Sequence, residues 1–176
     1  MPNIKDIKAR EILDSRGNPT IECDIFFTDN IFGRAAVPSG ASTGIHEAIE
    51  LRDNDSKRYK GKGVLKPISK ILNIVKPKII NMEFNNFKDF DDEIINIDGT
   101  KNKSNLGANS ILALSLAFAK ALAKSNKKDL YEFLSVDKSF LMPTPMINII
   151  NGGSHAHNDL DIQEFMIIPV GANSFN

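Results

Sequence analysis

A polar loop late in the chain carries the densest set of residues that could do chemistry. Two His, two Asp, one Gln and one Glu fall between positions 155 and 164: His155, His157, Asp159, Asp161, Gln163 and Glu164. On a strand, a His-x-His pair presents both imidazoles on one face, an arrangement that suits a metal. A zinc site also needs a third ligand, and the sequence contains neither a cysteine cluster nor a His-Glu-x-x-His motif. A metal-dependent hydrolase and a hydrated surface loop therefore both stay open, with the hydrated loop favoured.

Glu164 differs from the rest of this loop because it begins an apolar run, residues 165–169. A carboxylate beside such a run can be partly desolvated, a setting that suits proton transfer. A glutamate at the end of a strand that pairs with a lysine would have the same sequence. Composition does not separate the two interpretations.

A second candidate is a run of small residues, here named the small-residue loop: Ser39, Gly40, Ala41, Ser42, Thr43 and Gly44. Without bulky side chains, the backbone can approach a ligand and offer N–H groups or hydroxyls. The run is not a phosphate-binding Walker loop, because it lacks the Gly-Lys-Ser/Thr ending. A flexible surface loop is the competing interpretation, and composition alone favours it.

The elements that would position these residues begin with strands. Apolar residues alternate with polar ones at Ile21, Cys23, Ile25 and Phe27. This period of two predicts a half-buried strand. Residues 4–13 are a weaker strand candidate, separated from it by turn formers at 14–19. Turn residues at 28–30 and an apolar stretch at 31–37 predict a return strand, so the three strands form a meander.

The middle of the chain predicts helices. From Pro67 onward, apolar residues follow helical spacing at Ile68, Ile71, Leu72 and Val75. Residues 87–95 predict a second helix that ends near Gly99. Residues 108–124 predict the clearest helix, whose apolar residues surround its whole circumference and so indicate burial between layers. Residues 129–134 fit a short further helix.

Pro143 and Pro145 mark the predicted domain boundary. Beyond them, residues 146–150 and 162–168 predict two strands on either side of the polar loop. The order of strands, helices and new strands predicts an α+β domain, residues 1–138, followed by the start of a second domain at 139–176.

Bulk composition argues against several functional classes. Lys and Arg number 22, as do Asp and Glu, so the neutral chain has no field that draws it to nucleic acid or anionic lipid. Cys23 is the single cysteine, which fits a reducing cytosol. The first ten residues contain no secretory signal, and no apolar stretch is long enough to cross a membrane. We expect a cytoplasmic protein with no nucleic-acid partner and no transmembrane segment.

Four groups of sequence strings, in order along almost the whole chain, resemble the enolase family. They are DSRGNPT at 14–20; VPSGASTG at 37–44 with HEA at 46–48; DGT at 98–100 with NKS at 102–104 and LGAN at 106–109; and NGGSHA at 151–156 with QEFMI at 163–167. The second and fourth are similar to the family's two mobile loops. Their joint specificity is far above that of any short motif.

The resemblance implies a fold and an activity. The fold would be an enolase-like amino-terminal capping domain, followed by the first two strands of an incomplete modified α/β barrel. The parent activity would be that of phosphopyruvate hydratase, the glycolytic carbon–oxygen lyase that interconverts 2-phosphoglycerate and phosphoenolpyruvate plus water with Mg²⁺. The wording at residues 161–164 resembles bacterial members more than animal or fungal ones.

The resemblance also implies roles for individual residues. Ser42 would ligate a second Mg²⁺, and His155 would approach the substrate phosphate. Gln163 would bind near the substrate carboxylate, and Glu164 would hold or protonate the hydroxyl that leaves from C3. The family's lysine base, principal acid glutamate, carboxylate Mg²⁺ ligands and phosphate-binding arginine match no residue here. We therefore expect the 176-residue chain alone to be an inactive fragment.

Two alternatives accompany this hypothesis. The chain could act alone as a binding or dimerisation module, because the family forms homodimers largely through this region and Arg16 lies in the segment that makes its intersubunit salt bridges. It could also be a superfamily member that acts on a different acid, although such proteins generally lack the wording of both loops. A cell-surface or secreted pool, known in the family, is not encoded in this sequence. The apolar residues of the last two strands would lack most of a barrel to bury them, which predicts aggregation.

Overall fold

The chain consists of two compact units. The computed structural model describes residues 3–38, 44, 46–135, 140–172 and 174. One unit is Met1–Ser135 and the other is Val136–Asn176. No helix within the described ranges has the length and apolar character that a membrane span requires.

The first unit contains the antiparallel meander that the sequence predicts. Its strands are β1 (Ile4–Leu13), β2 (Pro19–Phe27) and β3 (Phe32–Ala36). Their order in the sheet is β1-β2-β3. Ile25 pairs with Ile7 on one side and with Gly33 on the other, so β2 is the central strand.

Both faces of β2 are covered, which corrects the predicted half-buried strand. The core-facing side chains are buried: Ile21, Cys23, Ile25 and Phe27. On the opposite face Asp24 is only 1% exposed, because the guanidinium groups of Arg10 and Arg34 both donate to its carboxylate. Burial by itself raises the pKa of Asp24, but these hydrogen bonds outweigh it and hold the pKa below its ordinary value. The covering groups come from the neighbouring strands, so the pattern of β2 alone does not reveal them.

Along the chain, the helices of the first unit follow its three strands. They are α1 (Leu65–Lys70), α2 (Lys76–Ile79), α3 (Phe87–Asp98), α4 (Ala108–Ser125) and α5 (Leu130–Leu134). A π-helical stretch, Ile71–Val75, joins α1 to α2, so the helix predicted from Pro67 is not regular. Pro77 accounts for this, because it lacks an N–H and its ring disfavours the regular pattern one turn earlier. The three later predicted helices are confirmed.

Helix α4 packs against β2 and β3 and also against α3. Gly33 permits this close approach, since a Cβ there would lie 2.1 Å from the carbonyl oxygen of Ala117. Between the helices, Phe118 stacks on Phe90 with ring centroids 4.0 Å apart. The predicted burial of α4 between layers is confirmed for most of its apolar residues, whereas Leu116 is partly buried and Leu112 is exposed beside a cleft.

The second unit is built on a β-hairpin. Its strands β4 (Ile147–Asn151) and β5 (Glu164–Ile167) are antiparallel, with a bulge between Asn148 and Ile150. Both predicted strands are confirmed, although β5 begins two residues later than the apolar pattern indicates. The apolar side chains of the hairpin are exposed: Ile147, Ile149, Ile150, Phe165, Ile167 and Ile168.

Candidate functional site

Three of the sequence-predicted site residues come together in the hairpin loop. His155 ends a 3₁₀ turn (Gly153–His155), Gln163 directly precedes β5, and Glu164 is the first residue of β5. Nε2 of His155 lies 2.5 Å from Nε2 of Gln163, and its Nδ1 lies 3.9 Å from Oε1 of Glu164. One imidazole therefore contacts an amide on one edge and faces a carboxylate on the other.

For a neutral imidazole, the contact with Gln163 is compatible with one tautomer. An amide nitrogen only donates, so with Gln163 Nε2 as the donor the His155 Nε2 accepts. The ring proton then sits on Nδ1, the nitrogen that faces Glu164. The Glu164 side chain is 32% exposed, which leaves its carboxylate partly desolvated yet open to a ligand. The cluster can thus offer a ligand both hydrogen-bond donors and a carboxylate.

Two glycines shape the loop that carries His155. The N–H of Gly152 donates to the carbonyl of Gln163 at 2.9 Å, and that of Gly153 donates to the carbonyl of Leu160 at 2.7 Å. A Cβ on Gly152 would lie 2.5 Å from the carbonyl oxygen of Ile162. A side chain at position 152 would therefore open the loop and separate His155 from its two partners.

The described residues do not support a metal centre at this loop. Within them, no three His, Cys, Asp or Glu side chains are grouped closely enough to hold a metal ion. His155 and His157 lie in a turn and a bend rather than on a strand, so they do not share a strand face. His157 is exposed and takes no part in the contacts of His155.

The small-residue loop falls mostly outside the described residues, which exclude Ser39, Gly40, Ala41, Ser42 and Thr43. The role of Ser42 as a Mg²⁺ ligand therefore stays a prediction. Gly44 is described and exposed, and its carbonyl accepts the N–H of Glu47 at 3.1 Å.

The chain enters the small-residue loop from a fixed point on the sheet. The N–H of Val37 donates to the carbonyl of Ile21 at 2.9 Å. The hydroxyl of Thr20 donates to the carbonyl of Val37 at 2.6 Å. Both bonds extend the pairing between β2 and β3 beyond the end of β3, and Val37 is buried there.

The chain returns from the loop along the start of α4. The N–H of Ala108 donates to the carbonyl of Ile49 at 2.8 Å. The side-chain amide of Asn109 donates to the carbonyl of Leu51 at 2.9 Å and accepts the N–H of the same residue at 3.2 Å. Asn109 is 4% exposed. It supplies both bonds that a neighbouring strand would give to Leu51.

The next two residues, both charged, also bind this part of the chain to the first unit. Arg52 donates to the carbonyls of Pro19 and Lys62 at 2.5 Å and 2.7 Å. The Asp53 carboxylate accepts the N–H groups of the first two residues of α1 at 3.0 Å and 2.7 Å. In the sequence, residues 47–62 stand out only as a charged stretch. The partners lie too far along the chain for local spacing to show them.

A cleft of about 520 Å³ lies between the two flanks of the small-residue loop and α4. Ile49 and Leu112 contribute apolar walls, and Glu47 and Arg52 contribute charged ones.

Asp98 accounts for the third family-like string. Its buried carboxylate accepts the N–H groups of Thr100 at 3.0 Å and Leu106 at 2.6 Å. Burial alone raises the pKa of Asp98, but these hydrogen bonds hold it below its ordinary value. The ordered loop that results leads directly into Gly107 and α4.

Comparison with known proteins agrees with this arrangement along the chain. Residues 4–134 match the family described as "Enolase, N-terminal domain", and residues 139–176 match "Enolase, C-terminal TIM barrel domain". The chain is 55% identical over 173 residues to an enolase of Methanocaldococcus jannaschii. That alignment covers 98% of this chain and 41% of the relative, so the chain spans about two fifths of the length of that protein. On these matches, the chain belongs to the enolase family.

Proposed function

We propose that this chain forms the amino-terminal part of a phosphopyruvate hydratase, which interconverts 2-phosphoglycerate and phosphoenolpyruvate plus water. The observation that carries the proposal is the cluster of His155, Gln163 and Glu164, the three residues that the family resemblance assigns to the substrate. Family membership supports the same reaction, a lyase step of glycolysis.

Each residue of the cluster has a chemical task in this proposal. His155 donates a hydrogen bond to the substrate phosphate through Nδ1, the ring nitrogen that carries its proton in this tautomer. Gln163 donates to the substrate carboxylate through its amide nitrogen. Glu164 holds the C3 hydroxyl and delivers a proton to its oxygen, so that the C–O bond breaks with water as the leaving group. The electron pair for the new double bond comes from the C2–H bond, whose proton passes to a base outside the matched residues.

Mg²⁺ belongs to the proposal for the whole protein, where it would stabilise negative charge that develops on the substrate carboxylate. The described residues do not form a site for it, since no close group of three acidic or imidazole side chains exists among them. Ser42 lies outside those residues, and a single neutral hydroxyl is a poor site without carboxylates.

The experiment compares the chain alone with a form extended through the whole carboxy-terminal barrel, both given 2-phosphoglycerate and Mg²⁺. We expect the extended form to produce phosphoenolpyruvate, detected by ultraviolet absorbance, and the chain alone to produce none. In the extended form, Glu164→Gln lowers kcat by about 100-fold, the usual scale for loss of a proton-transfer group. Glu132→Gln, which alters a carboxyl in the first unit, leaves kcat unchanged. An extended form without turnover would refute the proposed reaction.

A homodimer is a further part of the proposal. Arg16 is exposed at the β1–β2 turn, and the Asp14 carboxylate holds that turn by accepting the N–H groups of Arg16 and Asn18, both at 2.8 Å. A rigid turn with an exposed cation suits a pairing surface. Sedimentation of the extended form should show a dimer that Arg16→Glu weakens, and an unchanged dimer would remove this turn from the interface.

A further inference from the structure

We propose that the Asn151-Gly152 peptide is a site of spontaneous deamidation, which turns a neutral amide into a carboxylate beside His155, Gln163 and Glu164. Asn151 is exposed at the end of β4, and no other asparagine in the sequence precedes a glycine. A glycine nitrogen has no Cβ beside it, so it can approach the side-chain carbonyl of the preceding residue more readily than any other. The reaction goes beyond the proposed function, because it needs neither the substrate nor the rest of the barrel.

The reaction begins when the backbone nitrogen of Gly152 attacks Cγ of Asn151. A new N–C bond closes a succinimide ring, the Cγ–Nδ2 bond breaks, and the amide nitrogen leaves as ammonia with the proton from the Gly152 N–H. Water then opens the ring at either carbonyl carbon. Opening at Cγ gives aspartate, and opening at the backbone carbonyl gives isoaspartate, in which the main chain runs through the side chain.

The hairpin loop excludes every residue but glycine at position 152. A Cβ there would lie 2.5 Å from the carbonyl oxygen of Ile162 and 2.7 Å from Cβ of Leu160. A bulkier residue at this position would slow the attack on Asn151, but it would also disrupt the loop. The fold therefore keeps a reactive nitrogen next to Asn151.

A neighbouring amide activates the side-chain carbonyl of Asn151. Nδ2 of Asn148 donates to Oδ1 of Asn151 at 2.5 Å. Residues three apart point to opposite faces of a regular strand, but the bulge between Asn148 and Ile150 brings these two side chains together. Attack at Cγ places negative charge on Oδ1, so the Asn148 amide stabilises the tetrahedral intermediate as a donor in an oxyanion hole does.

Two hydrogen bonds hold the peptide away from the reactive arrangement. The Gly152 N–H donates to the carbonyl of Gln163 at 2.9 Å, and Nδ2 of Asn158 donates to the carbonyl of Asn151 at 2.9 Å. Both bonds must break before the Gly152 nitrogen can turn toward Cγ. Opening of this exposed end of the hairpin costs little, since few buried apolar contacts oppose it. Asn148 therefore raises the rate of deamidation, whereas Asn158 lowers it.

The product places a negative charge opposite Glu164. Asn151 pairs with Glu164 across β4 and β5, and like charges directly opposite each other destabilise such a pair. Isoaspartate also adds a methylene to the backbone at the point where Gly152 binds Gln163. Deamidation should therefore disturb the contacts that Gln163 and Glu164 make with His155. This consequence for catalysis rests on the proposed function, whereas the deamidation does not.

The first test follows position 151 in the 176-residue chain by peptide mapping with mass spectrometry, during incubation at mildly alkaline pH. We expect aspartate and isoaspartate to accumulate there. Asn148→Ala should slow the conversion by about fivefold, and Asn158→Ala should speed it by about threefold. Asn148→Asp keeps the shape of the side chain but cannot donate, and it should slow the conversion as well. In urea, which abolishes these contacts, the wild type and all variants should convert at the same rate.

Two results of the mapping experiment would overturn the inference. One is an unmodified Asn151 in the folded wild type after the chain in urea has converted, which would show that the hairpin blocks the reaction. The other is conversion in both folded Asn148 variants that is no slower than in the wild type, which would show that the Asn148 amide does not activate the carbonyl.

The second test measures the effect of the product on the form extended through the barrel. Asn151→Asp should lower kcat/KM for 2-phosphoglycerate by about fivefold, whereas Asn151→Ser, which removes the amide without adding charge, should stay within about twofold of the wild type. Equal values for Asn151→Asp and the wild type would overturn the effect on Glu164. An extended wild-type form without turnover would instead refute the proposed function, while the mapping experiment would still test the deamidation.

Discussion

Similar apolar strands are buried in the first unit of this chain and exposed in the second. In the first unit, β2 is covered on both faces, by helices on one side and by the guanidinium groups of Arg10 and Arg34 on the other. In the second, β4 and β5 are richer in isoleucine than β2, yet their side chains are exposed. Apolar residues predict a strand in both places. Whether that strand is buried depends on what the rest of the chain supplies to cover it.

This contrast gives the two units different expected sensitivity to substitution. The chain has no tryptophan, and its two tyrosines, Tyr59 and Tyr131, both lie in the first unit. Tyrosine fluorescence therefore reports unfolding of that unit alone. Denaturant titrations followed in this way can compare a substitution in one unit with its counterpart in the other.

Truncation of a buried aromatic side chain should cause the largest loss in the free energy of unfolding. Phe118 is 2% exposed and contacts the rings of Phe27, Phe84 and Phe90, so Phe118→Ala should lower the free energy of unfolding by about 4 kcal/mol. Phe165 in the hairpin is 41% exposed, and Phe165→Ala should change the same quantity by less than about 0.5 kcal/mol. Equal losses of unfolding free energy from the two variants would contradict the difference in burial between the two units.

A methyl group added to a glycine should give the next largest effect. A Cβ on Gly33 would lie 2.1 Å from the Ala117 carbonyl oxygen and force α4 away from β3, so Gly33→Ala should cost about 3 kcal/mol. Gly152→Ala meets a similarly close atom, the carbonyl of Ile162, but within the hairpin loop. We expect it to alter the chemical shifts of His155 and to leave the tyrosine-detected transition in place. A shifted transition would show that the hairpin contributes to the stability of the first unit.

The sequence predicted most of the framework and the main candidate cluster, and the reason lies in the range of the interactions. The meander, the helix at 108–124 and the two hairpin strands follow from local periodicity, and the family-like strings pointed to His155, Gln163 and Glu164. Burial of Asp24 depends on Arg10 and Arg34, which lie on other strands. The pair of Asn109 with Leu51 joins residues 58 positions apart. No local pattern specifies either contact, so both emerge only from the fold.

The pH dependence of a partly buried ion pair offers a further test of how the two units differ. The Arg58 guanidinium donates twice to the Glu11 carboxylate, which also accepts the N–H of Val64 at 2.9 Å. The hydrogen bonds from Arg58 hold the pKa of Glu11 below its ordinary value against the opposing effect of burial. Since the folded-state pKa is the lower one, this stabilisation is complete above the unfolded-state pKa of about 4.3 and is lost as the pH falls through the folded-state pKa.

Glu11→Gln should therefore lower the free energy of unfolding by about 2 kcal/mol at pH 7. The difference from the wild type should shrink as the pH falls below about 4. In the hairpin, Glu164→Gln removes a carboxyl whose contact with His155 is a long 3.9 Å. It should leave the tyrosine-detected unfolding transition unchanged both at pH 7 and at low pH. A Glu11→Gln deficit that persists undiminished at low pH would show that packing, and not the ion pair, is responsible.

The smallest expected effect is a gain, not a loss, in the free energy of unfolding. Asp91 of α3 is half-buried, and among the described residues its Oδ1 has no hydrogen-bond partner. Burial raises the pKa of Asp91 despite a hydrogen bond from Ser115, so the folded state holds this proton more tightly than the unfolded state does. The ionised carboxylate therefore costs stability, progressively, as the pH rises above the unfolded-state pKa of about 3.9.

Asp91→Asn removes that cost, and it should raise the free energy of unfolding by about 0.5 kcal/mol at pH 7, a small value because the residue is partly solvated. At pH 3, where the wild-type carboxyl is protonated, the gain should disappear. Asp161→Asn in the exposed hairpin loop is the counterpart and should change nothing at either pH. If Asp91→Asn instead destabilised the first unit at pH 7, the carboxylate would have to contribute a favourable contact through Ser115 that outweighs its burial. The partly buried charge of Asp91 would then cost the first unit no more stability than the exposed charge of Asp161 costs the hairpin.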